Sequence, residues 1–406
     1  MSLFKEIPPT ASFPLHIQDL FSALFKKKDG SLEGDFKNYL GVPYARVLYS
    51  ATTAFYIILE ALKTLSAKRT VIIPAYVCPL VALAIARAGL EIAVCDINQD
   101  NFDFKTDELE RLCAGDDVLA VIPVHLAGLP VDLDRIKSIV QGKSIFIIED
   151  CAQALGAEYK DKKVGSLADF SFFSLCRGKG LTIYEGGVLV ANKEEYSQLL
   201  DRKIKELIKN NFFAESIKIL ELFGYWIFYR PQLFWFIFRL PQIFWNWRGE
   251  KLKALTEDYN VNFTTHNVSA FRKRVGHINF KYLTNAIEAQ RLKVGLYLEG
   301  LKGYSQVKAI IEPPVTKATY PYLTLIFNSP KIKDEVLAVL NNSGLGISWV
   351  YAAAITDYAY LKDIVGNKPC LNARYLSERI ITLSTSCFLG NKEINYLLGM
   401  FPLKKA

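Results

Sequence analysis

The chain has 406 residues, 51% hydrophobic and 22% charged, with 49 Lys and Arg against 41 Asp and Glu for a formal charge of +8. Such a composition excludes a disordered or low-complexity protein, and the length suits one large α/β domain with a smaller partner. A spanning helix, which requires roughly 18 apolar residues, is not expected, because the longest uncharged run, 336–356, is broken by Asn341, Asn342, Ser343, Gly344 and Gly346.

The N-terminal MSLFKEIPPTASFPLH has neither an apolar signal core nor a small-residue cleavage site. The first segment that points to chemistry is Tyr49-Ser50-Ala51-Thr52-Thr53-Ala54, which opens the helix-compatible FYIILEALKTL. Small and hydroxyl residues at a helix start leave free N–H groups at its positive end. They either receive a phosphate or form a plain Ser/Thr cap.

From about Thr70 to Asn192 short apolar runs alternate with helical patterns. The runs are TVIIPA (70–75), EIAVCDI (91–97), VLAVIPVHL (118–126), SIFIIED (144–150) and GGVLVAN (186–192), with PLVALAIARAG and DLDRIKSIVQG among the helices between them. Runs apolar throughout suit strands covered on both faces, so the pattern predicts a mostly parallel sheet with crossover helices. Ligands of such sheets bind beyond the carboxyl ends of the strands.

Glu149 and Asp150 end the fourth run, within Glu149-Asp150-Cys151-Ala152-Gln153-Ala154-Leu155-Gly156. A carboxylate there can hold a cationic ring nitrogen, a ribose hydroxyl or a metal, or serve as a structural hydrogen-bonding partner. No metal is expected: His16, His125, His266 and His277 form no metal-spaced cluster with each other or with the seven cysteines. Those cysteines, odd in number and without C-x-x-C spacing, read as free thiols of a reducing compartment. The expected location is the cytoplasm, or the cytoplasmic face of a membrane. Phe173-Ser174-Leu175-Cys176-Arg177-Gly178-Lys179-Gly180 comes next, followed by Glu185-Gly186-Gly187. Lys179 between two glycines sits in a tight turn, open to a cofactor or simply solvated; the sequence around it is not a P-loop.

Beyond the last run the composition changes. Four of the five tryptophans, Trp226, Trp235, Trp245 and Trp247, fall in ELFGYWIFYRPQLFWFIFRLPQIFWNWRGEKLK. Pro231 and Pro241 interrupt helical continuity there, and Arg230, Arg239 and Arg248 cut the apolar run into short pieces. From Asp201 to Lys253 there are ten Lys/Arg and five Asp/Glu. The last third reads as α+β: a helical pattern over 268–301, strand-like YPYLTLIF (320–327), helical 332–344, ISWVY (347–351) and a helix from Asn391.

The strand–EDxAQxxG–FSxxxxK–EGG series resembles the DegT/StrS family of sugar aminotransferases, pyridoxal-phosphate (PLP) enzymes of fold type I. So do FKNYLGVPYARVLYSATTAF (36–55), VIIPAYVC (71–78), the strand ending in His125-Leu126-Ala127-Gly128, AEYKDKKVGSLADFSFFS (157–174) and LNARYLSERIITLS (371–384). The resemblance implies the fold-type-I transferase architecture: a large PLP-binding domain over 1–265 with a mostly parallel central sheet, and a smaller C-terminal α+β domain over 266–406. It makes Lys179 the lysine that binds PLP covalently and then acts as general acid and base. Asp150 pairs with the pyridine nitrogen, Gln153 lies on the phenolic-oxygen side, and Ala51, Thr52, Thr53 and Ser174 cradle the phosphate. An asparagine from the partner subunit of a homodimer completes the site, with Asn262 as the candidate; the arginine expected two residues later is Thr264.

Two departures bear on detail. The aromatic that the family stacks on the cofactor is Cys78 here, so either Tyr76 swings in or the smaller Cys78 covers the ring. His125 matches a family position near the site and reads as either a structural residue or a substrate contact. Where some members carry histidine and dehydrate sugars, this chain has Lys179, which favours transamination from an amino acid, usually glutamate, to a keto-sugar.

The stretch at about 205–255 exceeds the family's length there. Aromatics with interspersed arginines suit an element lying on a membrane surface, through 212–247, where each basic residue contributes roughly 1 kcal/mol. A dimer interface or an active-site lid is the alternative, and nucleic-acid binding fits poorly. The function expected is therefore a PLP-dependent aminotransferase acting on a nucleotide-activated or lipid-linked keto-sugar, in glycan or lipid biosynthesis. Its alternatives are a non-catalytic, membrane-associated regulatory or scaffolding protein that retains the fold, and a PLP enzyme with a non-sugar substrate.

Overall fold

The structure, a computed structural model, describes residues 4–12, 15–25 and 30–403. The apolar runs become strands: β1 is Tyr44–Leu48, β2 Thr70–Pro74, β3 Glu91–Cys95, β4 Val118–Val121, β5 Phe146–Asp150, β6 Phe170–Ser174 and β7 Gly187–Ala191. They form one sheet in the order β3-β2-β4-β5-β6-β7-β1. Pairs from β3 to β6 are parallel, and β7 is antiparallel to both β6 and β1. Alternate side chains of one strand enter two separate cores: Val71, Ile73 and Leu189 on one face, Ile72, Val188 and Val190 on the other. The runs are unbroken because both faces are covered by helices.

A second, antiparallel sheet is built from β8 (Val307–Ile310), β9 (Tyr322–Phe327) and β10 (Ile380–Ser384). Leu323, Leu325 and Leu383 join the same core as Ile57 and Ile73, which joins the two sheets through one apolar interior. The helical pattern over 268–301 is two helices, Ala270–Phe280 and Leu283–Gly300. ISWVY adds one bridge, Ser348 to Thr382, instead of a strand. Its backbone is otherwise engaged: the Tyr76 hydroxyl donates to the Tyr351 carbonyl at 2.8 Å and accepts from the Tyr351 N–H at 3.0 Å.

The aromatic stretch folds as helices Phe212–Phe228, Pro231–Ile237, Arg239–Trp247 and Lys251–Ala254. Pro231 opens its helix, where the missing N–H has no intrahelical role. Pro241 does not interrupt helical continuity as its residue type suggests. It stands third in its helix, within the first turn, and the break falls at Phe238 instead. Among the described residues no helix is long and apolar enough to cross a membrane. One side of the stretch is core: Leu222, Tyr225, Tyr229 and Phe234 are buried with Leu15, Leu20, Phe271 and Val275. The other side leaves Phe212, Phe213, Leu220, Phe236, Ile243 and Trp247 exposed.

Candidate active site

The residues singled out by sequence converge on the carboxyl ends of β5 and β6. Helix Ala51–Leu65 points its N-terminus there, capped by Ser50, whose Oγ accepts from Thr53 N–H at 3.0 Å. Within an α-helix the N–H groups of Ala51 and Thr52 have no acceptor of their own, so they remain available to an anion. Ser174, at the end of β6, pairs in register with Gly187 of β7. A Cβ on Gly187 would fall 2.2 Å from the Ala51 nitrogen, so only glycine lets strand and helix start approach this closely, which places Ala51 beside Ser174.

Asp150 is 5% exposed. Its Oδ1 accepts from Ala152 N–H at 2.9 Å, and burial pushes its carboxyl up to about 6, with Lys179 and His125 close enough to lower it in part. Lys179 lines a narrow cleft with Ala152, Gln153, Ser174 and Leu181. Burial holds its amine below the ordinary lysine range, opposed by Cys176, Cys78 and Asp150. A buried carboxylate beside an amine that gives up its proton readily is a chemically capable pair. Gln153 is fixed by its neighbours: its Oε1 accepts from Ala127 N–H at 2.9 Å and from the Tyr322 hydroxyl at 2.5 Å, and its Nε2 donates to the Tyr351 hydroxyl at 3.3 Å.

Other candidates are placed elsewhere. Tyr76 does not swing in over the cleft. It is 1% exposed, with its hydroxyl committed to Tyr351 and its ring stacked on Phe102. Cys78 remains beside the pair, part-buried, its thiol pushed up to about 12 by burial. His125 offers no surface to a substrate. It is fully buried, its Nδ1 accepting from Val131 N–H at 3.2 Å and its Nε2 facing Glu149 at 3.1 Å. That pattern assigns the neutral tautomer with the proton on Nε2.

Glu149 is the structural partner that the residue type allowed. It is fully buried and accepts from the N–H groups of Gly165, Leu167 and Ala168 at 2.8–2.9 Å. His125, Glu149 and Cys151 do place ligand atoms within 4.8 Å of one another, a grouping that sequence spacing did not reveal. The Glu149 oxygens and His125 Nδ1 are engaged by these N–H donors, while no hydrogen bond reaches the Cys151 thiol among those described.

Asn262 is exposed, and its N–H donates to Asn260 Oδ1 at 2.9 Å. The loop that carries it crosses the mouth of the helix Ala51–Leu65 of its own chain. There the Thr264 carbonyl accepts from Thr53 Oγ1 at 3.1 Å, and Arg87 lies 4.2 Å from the Phe263 ring. Tyr322 and Tyr351, from the C-terminal part of the chain, escaped the sequence reading. Their only signal there was membership of apolar, strand-like runs.

Residues 23–211 match the family described as the DegT/DnrJ/EryC1/StrS aminotransferase family. A UDP-4-amino-4,6-dideoxy-N-acetyl-beta-L-altrosamine transaminase of Campylobacter jejuni is 36% identical over 174 residues, 42% of this chain and 45% of that protein. The chain thus spans about half the length of the curated relatives it matches. Solved structures align over nearly the whole chain. PseC of Helicobacter pylori, an aminotransferase involved in the biosynthesis of pseudoaminic acid, superposes with a TM-score of 0.76 at 18% identity, covering 98% of each chain. The E. coli GDP-4-keto-6-deoxy-D-mannose-3-dehydratase with bound hydrated PLP gives 0.75 at 18% identity, covering 98% of this chain and 100% of that one. The family match is thus confined to residues 23–211, and the fold of the whole chain is the one PseC and the dehydratase share.

Proposed function

We propose that the chain is a PLP-dependent aminotransferase that moves an amino group from an amino acid, in our reading glutamate, to a keto-sugar, nucleotide-activated or lipid-linked. The observation that carries this reading is the buried Asp150 carboxyl within electrostatic reach of the Lys179 amine beyond β5 and β6, next to a helix N-terminus. The residues fit PLP. An amine of lowered pKa suits its aldehyde, a buried carboxylate suits its cationic ring nitrogen, and the helix start suits its phosphate.

PLP, when bound, supplies the electron sink that carbanion chemistry at an amino acid requires. Asp150, whose burial disfavours an unpaired negative charge, gains by facing a cation and so orients the ring. Ala51 and Thr52 would offer N–H groups, and Ser174 its hydroxyl, to the phosphate; Thr53, expected in the same cradle, is fully buried and gives its hydroxyl proton to the Thr264 carbonyl instead. Lys179, whose amine burial holds below the ordinary lysine range, would be the residue that binds the aldehyde and moves a proton at the reacting carbon. Gln153 would meet the phenolic-oxygen side, and Cys78 would cover the ring. We read Asn262 as reaching the phosphate of a partner subunit, so that the working form is a homodimer. Lysine at position 179, in place of histidine, favours transamination over dehydration.

We further read 212–247 as a contact with an anionic membrane surface, on the strength of its exposed Phe212, Phe213, Phe236, Ile243 and Trp247 and its basic surplus.

Adding glutamate to the PLP-loaded protein tests the first reading. Loss of the visible absorbance of lysine-bound PLP, with release of 2-oxoglutarate, is expected. A protein that binds PLP but converts no amino acid would overturn it in favour of a non-catalytic role.

A further inference from the structure

Along helix Leu283–Gly300 the buried positions are Leu283, Ile287, Gln290, Val294 and Tyr297, a spacing that turns one face of the helix to the core. Gln290 is the residue that does not suit this face. It is 6% exposed, and its side-chain amide makes no hydrogen bond among the described residues. A buried amide left without a partner is costly, so its place in the stripe calls for one.

The size of the space beside it says what that partner is. Gln290 and Lys179 line the same cleft, whose volume is about 30 Å³. That holds about one or two water molecules and is too small for a sugar ring or an amino acid. The N-terminal segment narrows the cleft. Ala11 lines it, held by its N–H to the Pro321 carbonyl at 2.7 Å, and Thr10 Oγ1 lies 2.9 Å from where Gly178 would carry a Cβ. A buried water needs roughly two to four polar partners. The Gln290 amide, which both donates and accepts, and the Lys179 amine supply two, with Gln153 and Thr319 also in the wall.

We propose that Gln290 is a positioning residue, which holds a water against Lys179 Nζ. The water accepts a hydrogen bond from the ammonium form and gives one to the Gln290 carbonyl oxygen. It thereby favours the charged state of an amine that burial disfavours. A lysine that must lose a proton to attack and hold one to deliver it is served by that balance. This inference rests on the aminotransferase reading and adds a residue to its site.

The test follows, against pH, the rate at which the full chain freed of PLP takes PLP up again, read from the visible absorbance of lysine-bound PLP. Only the neutral amine attacks, so the profile reports Lys179. The titration of PLP itself is common to all variants, as are the groups that face the amine: Cys176 on its own turn, Cys78 and Asp150. Gln290→Met, similar in size but unable to hold the water, is expected to move the midpoint about 0.5–1 pH toward acid. Gln290→Glu, which keeps the water and adds negative charge, is expected to move it toward alkali. Thermal melting checks that both variants are folded. Coincident profiles, or shifts of the same sign, would overturn the proposal. So would a crystal structure of the PLP-free wild type that orders solvent elsewhere but none between Gln290 and Lys179, a measurement that needs no variant. Failure of the wild type to take up PLP would instead remove the aminotransferase reading, and the crystallographic water would then decide the role of Gln290.

Discussion

Glu215, on the first helix of the aromatic insertion, holds Arg272, a guanidinium with no exposed surface; Arg272 Nε donates to Glu215 Oε2 at 3.1 Å, and Nη2 donates to Oε1. Arg272 also donates to the carbonyls of Ile183 and Glu185, and Lys218, one turn along from Glu215, pairs with the Glu185 carboxylate at 2.9 Å. The insertion is thereby bonded to the turn before Gly187, the glycine packed against the helix start at Ala51. It is part of the candidate site's framework rather than an appendage.

Removing one partner of a buried pair leaves the other charge uncompensated. Glu215→Ala is therefore expected to cost about 3–5 kcal/mol in urea denaturation. Glu215→Gln, which keeps hydrogen-bonding capacity, is expected to cost less. A loss under about 1 kcal/mol for the alanine variant, the scale of an exposed pair, would contradict this role.

Gly187→Ala tests the close approach of β7 to the phosphate helix. The added methyl would meet backbone atoms of Ser50 and Ala51 at 2.2 Å, and backbone cannot rotate away as a side chain can. Overpacking of this kind costs about 1–3 kcal/mol. PLP affinity, measured by equilibrium dialysis, should fall with it. Unchanged PLP affinity would place the phosphate elsewhere.

Asp150 gives a signature in pH. Burial raises its carboxyl from 3.8 to about 6, despite the opposing effects of Ala152 N–H, Lys179 and His125. An acid whose folded pKa exceeds its unfolded one binds more proton in the fold, so its contribution to stability declines as pH rises through that interval. In PLP-free protein the unfolding free energy should thus fall more steeply between pH 3.8 and about 6 in wild type than in Asp150→Asn. Glu6, raised by burial to about 7, is common to both proteins and cancels in the comparison. Parallel curves would contradict the buried, unpaired carboxyl.

Membrane contact is testable without damaging the fold, provided the core side of the insertion is spared. Deletion would remove Leu222, Tyr225 and Phe234 from a buried cluster. Serine at Phe236, Ile243 and Trp247, all exposed, should instead lower flotation with phosphatidylglycerol vesicles about ten-fold or more, since each lost apolar contact is worth about 1.5–3 kcal/mol when buried. Salt should weaken the wild-type binding. Flotation equal to wild type would remove the membrane reading.

What the sequence revealed and what it concealed divides along locality. Asp150 and Ser174 end strands, Lys179 follows one closely, and Ala51 opens a helix. Spacing along the chain was enough to set them around one crevice, because parallel strands bring their carboxyl ends together. The pairing of His125 with Glu149 depends on β4 and β5 lying side by side, which residue type alone does not state. Tyr76 looked free to cover the cofactor until its hydroxyl met the backbone of Tyr351, 275 residues away. The same distant contact keeps 347–351 from becoming a strand. Pro241 misled for a different reason: proline breaks a helix interior but is tolerated in the first turn, and the helix start at Arg239 carried no capping signal.

The measurement that bears most directly on the central claim is borohydride reduction of the PLP-loaded protein, followed by peptide mass spectrometry and repeated on Lys179→Ala. The account predicts a pyridoxyl group on the peptide containing Lys179, none in the variant, and loss of glutamate conversion in the variant. Label on another lysine, or wild-type conversion by Lys179→Ala, would contradict it.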